Sequence, residues 1–214
     1  MTRAYAETYL DDAMNNLGDM FDYVVYDCGY KLEDFFSYFL VSGIADGFGK
    51  GNPKYIAGFS GPELASVVFM KTKGERLNNI PSENINKSAE YWVGWILAYY
   101  QWYSGQSFAE LKNNGLTIDH LLGLYPTLHE ADITKFVDVA NRLIKNNKAS
   151  REINLKKIRR AARMSQRDLA EASGVSLRMI QLYEQKNKNI NKAQAITLAK
   201  LAQVLCCNVN DLIE

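Results

Sequence analysis

Ser165-Gln166-Arg167-Asp168-Leu169-Ala170-Glu171-Ala172-Ser173-Gly174-Val175-Ser176-Leu177-Arg178-Met179-Ile180-Gln181-Leu182-Tyr183-Glu184 is the stretch that organises this chain. Ser165 is placed to cap a helix, and Asp168, at the third helical position, completes a box-like cap. Leu169, Ala170 and Ala172 read as the inward face of that helix. Gly174 supplies the turn, because glycine alone reaches a positive φ at little cost. Val175 enters the core, Ser176 caps the next helix, and that helix buries Ile180 and Tyr183. Two short helices joined by a four-residue turn form a helix-turn-helix. Upstream, Leu155, Ile158 and Ala162 mark the inner face of a preceding helix. Downstream, residues 192–205 read as a helix placing Ile196, Ala199, Ala202 and Leu205 inward, and Asn210-Asp211-Leu212-Ile213 caps and starts a last turn. A compact five-helix unit is expected at the C-terminus.

The rest of the 214-residue chain has a different character. Residues 1–150 carry 13 Lys+Arg and 18 Asp+Glu, a net −5, whereas residues 151–214 carry 12 and 6, a net +6. All nine Phe, all three Trp and twelve of thirteen Tyr precede residue 150, leaving Tyr183 alone behind it. The break predicts two domains, 1–148 and 149–214, joined by a linker at 146–150. The basic one is suited to a polyanion, and the acidic one is not. The hydrophobic content of 47% excludes disorder as the main state. Apolar runs fall short of a membrane helix, so no membrane partner is expected. The N-terminal region, with Arg3, Glu7, Asp11 and Asp12, lacks the apolar core of an export signal. Three cysteines give no disulfide framework, and a cytoplasmic setting is expected.

The acidic half reads as helical throughout. Residues 4–30 place Tyr9, Ala13, Leu17, Met20, Val24 and Cys28 on one face. Residues 32–48 form a second helix, and Ser60-Gly61-Pro62-Glu63 opens a third. Residues 72–87 read as loop. Residues 88–103 form a helix that is apolar nearly all round, as a buried central helix should be. Residues 107–113, 117–124 and 129–145 complete the set. No alternating strand pattern appears, so the fold class is all-α.

The C-terminal motifs resemble the Cro/phage-repressor (XRE) helix-turn-helix family. The resemblance rests on Leu155-x-x-Ile158-Arg159, Met164-Ser165-Gln166-x-x-Leu169-Ala170-x-x-Ser173-Gly174-Val175-Ser176, Ile180-x-x-Tyr183-Glu184 and Leu198-x-x-Leu201-Ala202-x-x-Leu205. It implies a DNA-binding repressor whose third helix enters the major groove of an inverted-repeat operator as a homodimer. Leu177, Arg178, Gln181 and Leu182 would then face base edges, with Arg178 suited to guanine O6 and N7. Gln166, Lys186 and Lys188 would meet phosphates, and Arg159 and Glu184 would form an internal ion pair. Two departures stand out. Lys186, and Cys206 or Cys207, occupy positions where the family has glycine, so both loops are expected to differ in shape.

Other signals fail. Gly43 to Gly51 lacks the spacing of a phosphate loop, with Ile44 where a glycine is required and Gly51 after Lys50. His129-Glu130 is followed by Ile133 rather than a second histidine, and reads as a surface helix start. Adjacent Cys206 and Cys207 do not suggest a metal site. No metal, cofactor or enzyme activity is expected. Trp92, Trp95, Tyr99 and Trp102 form either core or the wall of a ligand pocket. Tyr9-Leu10-Asp11-Asp12-Ala13-Met14, residues 51–58 and Tyr91-Trp92-Val93-Gly94-Trp95 resemble segments of bacterial two-part regulators encoded beside small toxin-like genes. That resemblance implies an antitoxin whose front domain binds a toxin and which represses its own operon. Asp12, Asp19 and Asp22 form an acidic helix face that could bind such a partner. The alternative is a one-component regulator whose front domain senses a small ligand.

Overall fold

The structure is a computed structural model describing residues 3–82, 87–150 and 152–213, with the side chains of 148–150 left aside. Among the described residues it is all-α, with no strand, and divides into two compact units, 1–149 and 150–214.

In the first unit, α1 (Leu10–Tyr26) and α6 (Ala89–Ser104) pack along one another at the centre. Leu10, Ala13, Met14, Leu17, Met20, Phe21 and Val24 recur at helical spacing and are buried. Gly94 lets the two backbones meet, since a β-carbon there would overlap the Leu17 carbonyl and lie 2.9 Å from Gly18 Cα. Gly61 does the same where α5 (Gly61–Lys73) begins, with Asp19 backbone carbon 2.7 Å from where its Cβ would be. Ser60 and Glu63 cap α5 reciprocally. Around this centre lie α2 (Leu32–Val41), α3 (Ile44–Gly49), α4 (Pro53–Ile56), α7 (Phe108–Asn113), α8 (Ile118–Leu128) and α9 (Ile133–Ser150). Edge-to-face contacts of Phe21 with Phe35 and Phe36 tie α2 to α1.

Several expected boundaries move. α1 starts at Leu10 after a 3-10 turn over Glu7–Tyr9, which leaves Tyr9 exposed; Cys28 lies beyond the helix end. The expected 32–48 helix is two, because Gly43 takes φ +74° and the Ser42 hydroxyl bridges the break, donating to Phe39 O and accepting from Ile44 N. His129 ends α8 rather than starting α9, which opens beside Asp132, whose carboxylate accepts from Thr134 N. The expected linker at 146–150 is helical, the last turn of α9. Its residues include neither Gly nor Pro, and Asn147 donates to Asn114 O.

The second unit comprises α10 (Asn154–Ala161), α11 (Gln166–Ser173), α12 (Leu177–Glu184), α13 (Ala195–Val204) and α14 (Val209–Leu212). Leu155, Leu169, Val175, Ile180, Tyr183, Leu198, Leu201 and Leu212 form its core. Here too faces shift. Ala162 and Ala172 are exposed. A 3-10 turn over Ile190–Lys192 delays α13, which buries Leu198, Leu201 and Ala202 and leaves Ile196 and Ala199 outside. The last turn is capped by Asn208, not Asn210, with Asp211 completing the box.

Candidate nucleic-acid interface

The α11–α12 corner is set by local chemistry. Ser165 Oγ accepts from Asp168 N at 3.1 Å, and the Asp168 carboxylate accepts from Ser165 N at 2.8 Å. These bonds hold the exposed Asp168 carboxyl below its usual range. Gly174, at φ +64°, ends α11, and Ser176 accepts from Met179 N at 3.4 Å to start α12.

α12 presents one face inward and another outward. Ile180, Tyr183 and Glu184 are buried; Arg178 is exposed, while Leu177, Gln181 and Leu182 are half-buried. By helical periodicity Arg178, Gln181 and Leu182 lie opposite the buried stripe, and Leu177 lies at its edge. Lys186 and Lys188 are exposed in the following turn, where the Lys188 ammonium lies 3.8 Å from Met179 Sδ. Arg167, exposed in the first turn of α11, is a further cation beside this corner that sequence reasoning passed over. Its place next to the helix-capping Ser165 and Gln166 was the available signal.

Beneath the corner lies a buried polar brace. Arg159 donates through Nε to Glu184 Oε1 at 2.7 Å and through Nη2 to Oε2 at 2.8 Å. Its Nη1 reaches the Met164 carbonyl at 2.6 Å. Gln166 Nε2 donates to the same Glu184 Oε2 at 2.7 Å. The phosphate residue expected at the α11 N-terminus is therefore held from within by one amide hydrogen, leaving the other available to an external acceptor. The Glu184 side chain is only 2% exposed. Burial pushes its carboxyl up, but the bonds from Arg159 and Gln166 outweigh this and leave it below the usual carboxylate range. Arg159, bonded to Glu184, is shifted up.

The loops expected to change shape keep a left-handed turn without glycine. Lys186 has φ 60° and Cys206 φ 51°, and Arg163, after α10, has φ 56°. At two of them the backbone closes as in a glycine cap. Met164 N donates to Arg159 O and Arg163 N to Arg160 O; Cys207 N donates to Ala202 O and Cys206 N to Gln203 O. The tertiary frame imposes the conformation on residues that disfavour it. Replacing the exposed Cys206 by glycine is expected to raise stability by up to about 1 kcal/mol in urea unfolding. A loss of stability would contradict the strain reading.

The acidic and aromatic candidates lie in the first unit. Asp12 is exposed, but Asp19 pairs with Lys87 at 2.9 Å and Asp22 accepts from the Ser88 hydroxyl. Two of the three acids thus hold the start of α6 against α1. Trp102 is core, and its indole donates to Tyr5 O at 2.9 Å. Trp92 is nearly buried and Trp95 half-buried, and both line an open cleft of about 270 Å³ with Tyr91, Tyr125, His129 and Lys87. The tryptophan stripe is therefore core at one end and cleft wall at the other. The Gly43–Gly51 run serves packing, with Gly49 O accepting from the buried Gln101 amide at 3.0 Å. Among the described residues no cluster of three metal-ligating side chains occurs, and no helix is long and apolar enough to cross a membrane.

Residues 155–209 match the helix-turn-helix family model. No curated protein and no solved structure matches the chain. The matched segment runs from the start of α10 to the start of α14 and includes both helices of the braced corner. The C-terminal unit is a helix-turn-helix DNA-binding domain of the Cro/phage-repressor (XRE) type, carried on an all-α chain.

Proposed function

We propose that this DNA-binding transcription regulator is a repressor that reads an inverted repeat as a homodimer, with α12 in the major groove. The observation that carries this reading is the outward face of α12. Arg178 stands exposed between Gln181 and Leu182, and the helix beneath them is locked by the Arg159–Glu184–Gln166 brace. Arg178 suits a bidentate contact to guanine, Gln181 an adenine edge, and Leu177 and Leu182 thymine methyls. Gln166, Lys186 and Lys188 border that face and suit the phosphate backbone. One such module buries roughly 600–1,000 Å² and covers a short half-site, so two copies are needed for a full operator.

Selection of duplexes from a random library by the full chain tests this function. The expected product is an inverted repeat with half-site centres about 34 Å apart, one helical turn. Recovery of no enriched sequence would remove the reading. Light scattering is expected to give a dimer at least on that DNA; a monomer both free and bound would remove the dimer. Lys188→Ala is expected to weaken binding to every duplex alike and to lower the salt slope by about one unit.

For the first unit, two inputs compete. The antitoxin reading draws on the resemblance of its segments to toxin-linked regulators and on the acidic face. Of that face only Asp12 is exposed without an ion pair to Lys87 or a bond to Ser88. The ligand-sensing reading draws on the open aromatic cleft at Trp92 and Trp95, and we favour it. Retention of a neighbouring gene product by the full chain would reverse that preference.

A further inference from the structure

The cleft between α6 and α8 has a composition that selects among ligands. Its walls are aromatic faces. Trp92 meets Tyr125 edge-on at 5.7 Å, and His129 stacks on Tyr125 at 4.5 Å between centroids. Half-buried Tyr91 and Trp95 supply further ring surface from α6. A volume of about 270 Å³ lies just below the roughly 300–1,000 Å³ usual for ligand pockets, which suits one ring or two fused rings. Flat rings are the natural complement of such walls.

The charge at the rim narrows the class. Among the described lining residues there is no carboxylate. Among those described residues Lys87 is the one permanent cation, with its ammonium 4.1 Å from the Tyr91 ring centroid and 2.9 Å from Asp19. Asp19 takes one of its three N–H groups, so others remain for an incoming anion. A ligand cation would face Lys87 at like charge, and its place over the Tyr91 ring is already taken. His129 Nδ1 lies 2.8 Å from Tyr125 O and must carry the hydrogen there. With Nδ1 committed to Tyr125 O and Nε2 facing Glu130 Oε1 at 3.6 Å, His129 offers a ligand its stacking face, and Lys87 is the anion's partner.

We propose that this cleft binds a planar aromatic carboxylate, its ring against Trp95 and Tyr125 and its carboxylate on Lys87. The inference deepens the ligand-sensing reading and rests on it for its biological use, but the site stands or falls alone. Indole-3-carboxylate, benzoate and salicylate are the probes, with neutral indole and cationic tryptamine as comparisons, titrated against the full chain by calorimetry and tryptophan quenching. At least one carboxylate is expected to bind, with indole about tenfold weaker and tryptamine weaker still. Trp95→Ala should abolish binding. Lys87→Met should lower carboxylate affinity to the level of indole, with only a small shift of the melting curve from loss of the exposed Asp19 pair. Absence of binding by all three carboxylates at millimolar concentration overturns the proposal, as does indole or tryptamine binding equally well. Carboxylate binding that leaves operator affinity unchanged supports the site and removes the sensing reading instead.

Discussion

Arg159→Ala is expected to unfold the C-terminal unit while leaving the N-terminal unit folded. The substitution strands the Glu184 carboxylate, 2% exposed, with only the Gln166 amide as partner. Breaking a buried pair by removing one member costs about 3–5 kcal/mol. A unit of this size has a total stability of only about 3–10 kcal/mol, and it also loses the tie from Arg159 to the Met164 carbonyl. The readouts separate cleanly, because all three tryptophans lie in the first unit. Tryptophan emission should unfold at its original midpoint, while helicity falls and DNA binding disappears. The double variant Arg159→Met, Glu184→Leu should recover most of the stability, since two apolar groups remove the unpaired charge. Gln166, half-buried, can then turn to water. Equal loss in the single and double variants would mean that shape rather than charge holds the corner. Acid should act in the same direction as the single variant. The Glu184 carboxyl is depressed in the folded state, so its contribution is present above the ordinary Glu range and is lost as pH falls through the lower folded value.

The second large effect is expected at Gly94. Its β-position is occupied by the Leu17 carbonyl and by Gly18 on α1. The obstacle is backbone, so no rotamer change can absorb a methyl group. Gly94→Ala must push α1 and α6 apart along the central contact of the first unit. Overpacking in a core usually costs about 1–3 kcal/mol, and a clash with main chain belongs at or above the top of that range. The gain in helix propensity from Gly to Ala, about 1 kcal/mol, offsets only part of it. Here the tryptophan transition should shift to lower denaturant. A neutral or stabilising outcome would contradict the close backbone approach of α1 and α6 at Gly94. Gly18→Ala is the informative partner, since its obstacle is the Tyr91 ring at 2.8 Å, a side chain able to move. A smaller loss is expected there.

The C-terminal fold was legible because its signals are local. Ser165, Asp168, Gly174 and Ser176 each act on nearby backbone, so their spacing alone fixes where α11 begins and ends and where α12 begins. The face of α13 was not. Ile196 and Ala199 fit the helical period as well as Leu198 and Leu201 do, and contact with α11 makes the choice. The break at Ser42–Gly43 was hidden because apolar residues continue on both sides of it. The helical turn over 146–150 was hidden because Asn, Lys, Ala and Ser accept either state.

The candidate site divides the same way. Outward positions on α12 follow from periodicity, but the hold of Glu184 on Gln166 joins residues eighteen apart in sequence and exists only once three helices meet. The glycine-less turns show the reverse case. Lys186 and Cys206 look like departures that should reshape the loops, yet the frame carries them into the left-handed region. The aromatic cleft needs α8 to bring Tyr125 and His129 onto Trp92, and no feature of the 88–103 helix announces that meeting.

Base reading by α12 through Arg178 is tested by the affinity of the full chain for its selected duplex and for a random duplex, with and without Arg178→Ala, at several salt concentrations. Arg178 is exposed, and among the described residues it forms no ion pair, so folding should not change. The expected result is a loss of about 1–3 kcal/mol on the selected duplex, a much smaller loss on the random one, and relaxed preference at a single base pair of each half-site. Equal losses on both duplexes would contradict it.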